Sequence, residues 1–240
     1  MGNKLMNTLH KDMLNIDYKT FINLEKLIIE EMKTYEKWRA TLETKAEQLK
    51  EIQERIENKT VKTEYDNYIL SQDINDILTE EDDNNLQFEE EISKLQVMLI
   101  YTNFEILLKN IFLYKTYNQL SEKYWDWEKL FNKKLSIDFS KIPGYYDIQQ
   151  IRLFNNNYKH TGSLLSKRTL KEIYEHKLFN VLNNYVSATE LIELKKLDED
   201  TFINKILEKD IRVILNKNEL LLLHKNACVF LHTVIDTLFP

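Results

Sequence analysis

The chain runs to 240 residues with three glycines, two prolines and one cysteine, where ordinary proteins average about 7% glycine and 5% proline. So few turn formers exclude a fold of many short strands, and they exclude the glycine-rich loops of P-loop and dinucleotide-binding proteins; the lone Cys228 excludes an intrachain disulfide. A net charge of −6 argues against nonspecific binding of polyanions, and 43% hydrophobic residues argue against global disorder.

What remains is a small number of long elements, so the expectation is an all-α protein in a reducing, cytoplasmic setting. The first element is a helix from about residue 6 to 57. Apolar or small residues recur along it at Phe21, Leu24, Ile28, Met32, Tyr35 and Trp38, and then at Leu42, Ala46, Leu49, Ile52 and Ile56. The mean step is about 3.5 residues, the coiled-coil period. A helix of this length spans roughly 75 Å, too long for a small core. It is expected to project as a stalk or pack as a hairpin, against residues 62–79 or against another chain, and so to be the element that meets a protein partner.

Glu57–Thr60 reads as the breaker, 62–79 as a second helix, and the charged run Glu80–Asn85 as a turn. The expected domains are therefore 1–84, a long N-terminal helix and helical hairpin, and 85–240, a helical domain. A third helix over 86–118 carries the densest apolar content. Glu105 and Lys109 interrupt its most apolar window, Leu95–Tyr114, which favours a core helix over a membrane span. They also stand four apart, at pairing distance.

Tyr124–Glu128 opens a short aromatic helix, Leu135–Phe139 reads as briefly extended, and Pro143–Gly144 is the one strong turn. A helix then ends at Gly162 as its C-cap. Helices near 167–180 and 200–237 complete the chain, and Val186–Leu194 fits either helix or strand. His224 and His232, in apolar helix near Cys228, read as core histidines. The five histidines and one cysteine show no ligand spacing, so no metal and no cofactor is expected.

Most of the chemistry lies in Arg152-Leu-Phe-Asn-Asn-Asn-Tyr-Lys-His-Thr-Gly162. At about 100° per residue, and taking Arg152 as zero, Lys159 falls near −20°, Asn156 near +40°, Asn155 near −60° and His160 near +80°. Ile151, Phe154 and Tyr158 gather on the opposite side, about 200° to 260° away. One face is apolar, and the other presents groups that suit a phosphodiester. Three consecutive asparagines are poor helix formers, which weighs against a purely structural role. The segment Lys133–Lys171 holds eight basic and two acidic residues, a local +6 in a chain that is otherwise −12. An acidic protein with one basic island can take RNA there and repel it elsewhere.

The pattern Arg-x3-Asn-x2-Lys-His-x-Gly, following a hydrophobic helix with a glutamate, resembles the HEPN superfamily over roughly residues 86–240. In that family an arginine and a histidine are separated by four to six residues; here seven lie between Arg152 and His160. Asn155 stands where the family arginine often is, and Asn156 matches the polar residue after it. The resemblance implies an HEPN-like helical bundle and metal-independent RNA cleavage, as in toxin–antitoxin and antiviral systems. In that chemistry His160 moves the proton, Arg152 holds the phosphoryl charge and Asn156 orients the phosphate or ribose. Lys159, Asn155, Lys167 and Arg168 support the RNA backbone, and Tyr145 and Tyr146 stack on bases. Arg152 and His160 are about 12 Å apart along one helix. Two copies crossing antiparallel at Asn156 place Arg152 of one beside His160 of the other, so a homodimer with a composite site is expected. The competing expectation is an inactive HEPN-like module that binds RNA, dimerises or docks a partner.

Overall fold

The structure is a computed structural model describing residues 2–57, 64–117 and 125–240, with side chains for residues 8–41, 86–117 and 125–240 and a few positions between. The described residues form eight α-helices: α1 (Gly2–Glu57), α2 (Glu64–Lys115), α3 (Trp127–Leu135), α4 (Tyr145–Thr161), α5 (Lys167–Glu175), α6 (Ala188–Leu194), α7 (Glu199–Leu207) and α8 (Lys217–Leu238). Short 3-10 turns occupy Phe139–Lys141 and Phe179–Leu182. No strand occurs among the described residues, which hold only an isolated antiparallel bridge between Leu164 and Arg212. The protein is all-α, with the long N-terminal helix its sequence period requires.

Several local expectations are corrected. Glu80–Asn85 is helix rather than turn, because α2 runs unbroken from Glu64 to Lys115. Asp and Asn each cost only a few tenths of a kcal/mol in a helix, too little to break one that continues on both sides. Leu135–Phe139 is not extended. Ser136 turns left-handed at φ 56°, and the Asp138 side chain caps the 3-10 turn that follows. Val186–Leu194 resolves as helix, since Ser187 caps Ala188–Leu194 by accepting from the Glu190 N–H. The single helix expected over 200–237 is two, α7 and α8. Between them Ile211, Val213 and Leu215 alternate as buried residues, a period of two that suits extended chain. This segment bonds back to the loop after α4: Leu165 N–H donates to Ile211 O at 2.9 Å, and Val213 N–H to Ser163 O at 2.8 Å.

The chain divides into two compact units, residues 27–92 and residues 1–26 with 93–240. In the smaller unit Ile28, Met32 and Tyr35 are buried at heptad-like steps. The Tyr35 and Trp38 rings meet Phe88 at 5.6 and 4.6 Å, and the Tyr35 hydroxyl donates to Glu89. The distal half of the stripe, Leu42 to Ile56, and any contact with 62–79 lie outside the described side chains.

The larger unit is built on α2. The stretch Leu86–Lys115 has the length and composition of a membrane span. Within this unit its Ile100, Phe104, Leu108 and Ile111 are fully buried. Phe104 joins an aromatic cluster with Trp127, Phe139 and Phe230, centroids 5.1–6.4 Å apart. α4 packs on α8 and α5, and Gly144 permits its close approach. Its φ is +84°, and a Cβ there would stand 2.4 Å from the Asn226 carbonyl oxygen. A left-handed alanine costs about 1–2 kcal/mol and overpacking about 1–3 more. Gly144→Ala should therefore lower stability by about 2–5 kcal/mol in denaturant titration; unchanged stability would mean that α4 can lift from α8 freely.

Candidate nucleic-acid interface

The turn at Pro143–Gly144 starts α4, and Gly162, at φ +70°, ends it. Between them Ile148, Ile151, Phe154 and Tyr158 are buried, so the helix is rotationally fixed. The adjoining stripe, Arg152, Asn155, Asn156 and Lys159, lies at i, i+3, i+4 and i+7 and lines one groove of about 690 Å³. Tyr101 and Glu105 of α2 form one side of this groove. Trp125–Lys129 form another, and His176, just past α5, a third. Tyr145 and Tyr146 stand at its end, their rings 5.6 Å apart, with Tyr146 65% exposed.

The groove is electrostatically mixed, with Arg152, Lys159 and Lys129 facing Glu105, Asp126 and Glu128. The carboxylates on the α3 side are engaged. Glu128 accepts from Tyr145 at 3.2 Å and from Gln149 at 2.5 Å. Burial, then the Glu128 charge and hydrogen bond, push the Tyr145 hydroxyl up to about 12. Asp126 caps α3 and pairs with Lys129 at 2.9 Å. Partial burial acts to raise its carboxyl, but bonds from Lys129 and the positive charges of Lys129 and Arg152 outweigh it, so the pKa lies below the usual value. Glu105 does not pair with Lys109. Its charge acts instead on Tyr101, whose hydroxyl is raised first by burial and then by Glu105.

The three consecutive asparagines do three different things. Asn156 is half-buried in the groove wall. Asn155 is fully buried, yet neither its amide nitrogen nor its oxygen has a hydrogen-bond partner. Asn157 is scaffold. Its amide donates to Gly162 O and Leu164 O, and its oxygen accepts from Ser166 N–H, Thr161 and Thr169. Tyr158 is scaffold as well, its hydroxyl bonded to Val213 O and Ser93, both at 2.7 Å.

His160 points elsewhere. It lines a second cavity of about 290 Å³ with Leu153, Asn156 and Arg168, and Asn156 is the residue shared with the first groove. Within one chain, then, Arg152 and His160 line different cavities, although the helical projection groups them on one face. Arg168 is held by Glu172 at 3.6 Å. Lys167 is exposed and lines neither cavity.

The sequence signals did not single out His176 or Trp125 for this site. Trp125 precedes α3 and His176 follows α5, so no helical spacing relative to Arg152 marks them. Of the two histidines read as core, His224 is one: it is buried, its ring nitrogen lies 2.9 Å from Phe21 O, and burial lowers its pKa. His232 is a surface residue, 60% exposed and 3.0 Å from Asp236, because it turns away from the buried stripe of α8. Burial, then the Glu25 charge, push the Cys228 thiol up to about 12, which disfavours a nucleophilic role. Comparison of the chain with protein-family models, curated proteins and solved structures found no match.

Proposed function

We propose that this protein is a metal-independent endoribonuclease of the HEPN type, of the kind found in bacterial defence and toxin–antitoxin systems, acting on RNA held in the Arg152 groove. One observation carries the reading. Trp125 Nε1, Arg152 Nε and both amide atoms of Asn155 are buried without hydrogen-bond partners, and all three residues line this groove. Each unpaired buried group costs about 1–3 kcal/mol, so their convergence favours a polar ligand. Three of the four atoms are donors, which suits an acceptor-rich ligand. Arg152 and Lys159 add the positive charge that selects phosphate, and Tyr145 and Tyr146 offer faces for unpaired bases.

The 2′-hydroxyl attacks the adjacent phosphorus, and His160 of a second copy takes its proton. Arg152 stabilises the charge on the non-bridging oxygens, with Lys159 in support and Asn156 orienting the phosphate. The second copy is required because His160 and Arg152 of one chain line different cavities. That same separation favours the alternative reading, an inactive RNA-binding or dimerising module.

The test is incubation with total RNA in EDTA. Wild type should cut, leaving 2′,3′-cyclic phosphates. Arg152→Ala and His160→Ala should each be slowed by about 100-fold or more alone, and mixing them should restore part of the activity. No rescue in proven heterodimers removes the composite site, and no cleavage by wild type leaves the inactive module.

A further inference from the structure

Transesterification of RNA needs two proton transfers. One proton leaves the attacking 2′-hydroxyl, and another must reach the departing 5′-oxygen. We propose that His176 is the general acid of the Arg152 groove; this rests on the RNA-cleaving reading above.

Of the five histidines, His176 is the one that lines this groove. His160 lines the neighbouring cavity, His224 is bonded to Phe21 O, His232 pairs with Asp236, and His10 is buried against Tyr114. The backbone at His176 is fixed on both sides. Its N–H donates to Glu172 O at 3.0 Å, Lys177 N–H to Tyr174 O at 3.2 Å, and Leu178 N–H to Ile173 O at 2.9 Å. Lys177, at φ +54°, turns the chain sharply there, and buried Leu178 pins the turn and also lines the groove. The imidazole itself is exposed, with no hydrogen bond or ion pair among the described residues. Its backbone is therefore fixed at the groove, and its ring is unused by the fold. Arg152 approaches the same groove from α4, so one chain presents a cation and a proton-transfer group to one cavity.

The step balances without metal, water or redox partner. The O2′–P bond forms as the 2′-hydroxyl proton passes to the base, His160 of the second copy. The P–O5′ bond breaks as the His176 imidazolium gives its proton to O5′. The products are a 2′,3′-cyclic phosphate and a 5′-hydroxyl, and the two imidazoles return to their starting states through solvent.

The test compares His176→Ala with wild type on a short single-stranded oligoribonucleotide and on the same oligonucleotide carrying sulfur in place of the bridging 5′-oxygen. A thiolate leaves without a proton. Loss of the acid should slow cleavage of the ordinary RNA by about 100-fold or more, with RNA affinity changed less than about twofold. The sulfur substrate should be cut at close to the wild-type rate. His160→Ala should stay slow on both substrates. Mixing Arg152→Ala with His176→Ala should give no rescue, because no chain then carries both groups. His176→Gln, with an amide of similar reach, should behave as His176→Ala does and guards against a folding artefact. Wild-type cleavage by His176→Ala, persistent slowness on the sulfur substrate, or rescue on mixing would each overturn the assignment while leaving the ribonuclease reading in place. No cleavage of either substrate by the wild-type protein would overturn both.

Discussion

Arg152→Ala should slow RNA cleavage by about 10²–10³-fold, the usual loss when one preorganised donor to a developing oxyanion is removed. The guanidinium suits this role because its helix is fixed and its Nε is unpaired. Arg152 is half-buried on a helix locked by Ile148, Ile151, Phe154 and Tyr158, and its Nε has no partner. A side chain already ordered by packing loses little entropy when it takes a phosphate. Lys159→Ala should cost less, since Lys159 is exposed on the last turn of α4 and acts as a mobile point charge. Affinity for RNA should weaken in both variants, and the dependence of log K on log salt should flatten by about one unit per lost phosphate contact. The fold should survive the change, because Arg152 makes no ion pair among the described residues. An Arg152→Ala protein that binds and cuts RNA like wild type would move the site away from this groove.

The all-helical fold was legible because glycine and proline scarcity and a 3.5-residue period leave few other solutions. The stripe on α4 was legible for the same reason: the apolar residues that fix the helix in rotation also fix what faces outward. The projection groups His160 with Arg152 on one face, and the structure instead gives it a neighbouring cavity that shares only Asn156 with the groove. What the sequence did not disclose came from tertiary contact. The α7–α8 break depends on Ile211–Leu215 pairing with the loop at Ser163–Leu165, and that loop is 46 or more residues upstream. The identity of the groove depends on Trp125 and His176, which share no helix with Arg152. Nor could the asparagine run be divided by pattern, since one amide is scaffold only because Gly162 lets the chain fold back over it.

That division gives the second large expected effect, with opposite signs two residues apart. Asn157→Ala should lower stability by about 2–4 kcal/mol, as expected when a buried amide that ties several groups together is removed. The amide nitrogen serves Gly162 O and Leu164 O at 2.9 and 3.1 Å, and the oxygen serves Ser166 N–H at 3.1 Å and Thr169 Oγ1 at 2.7 Å. Of these, the Thr169 hydroxyl is buried and would keep only its bond with Ser166 Oγ at 2.8 Å. The loop so held also carries the Ser166 cap of α5, hence the approach of α5 and His176 to the groove. Asn155→Leu should do the reverse and raise stability by about 1–3 kcal/mol, because a side chain of the same branched shape, though somewhat larger, replaces two buried polar atoms that are unpaired. The same change should weaken RNA binding and slow cleavage, since it deletes a donor and an acceptor from the groove wall. Denaturant titration of both variants, beside RNA binding, separates the outcomes. If Asn155→Leu destabilises as Asn157→Ala does, the Asn155 amide is satisfied within the folded protein and is not available to a ligand. If it stabilises and RNA binding is lost, the unpaired amide is a cost the fold bears at its binding surface, which is where such costs concentrate.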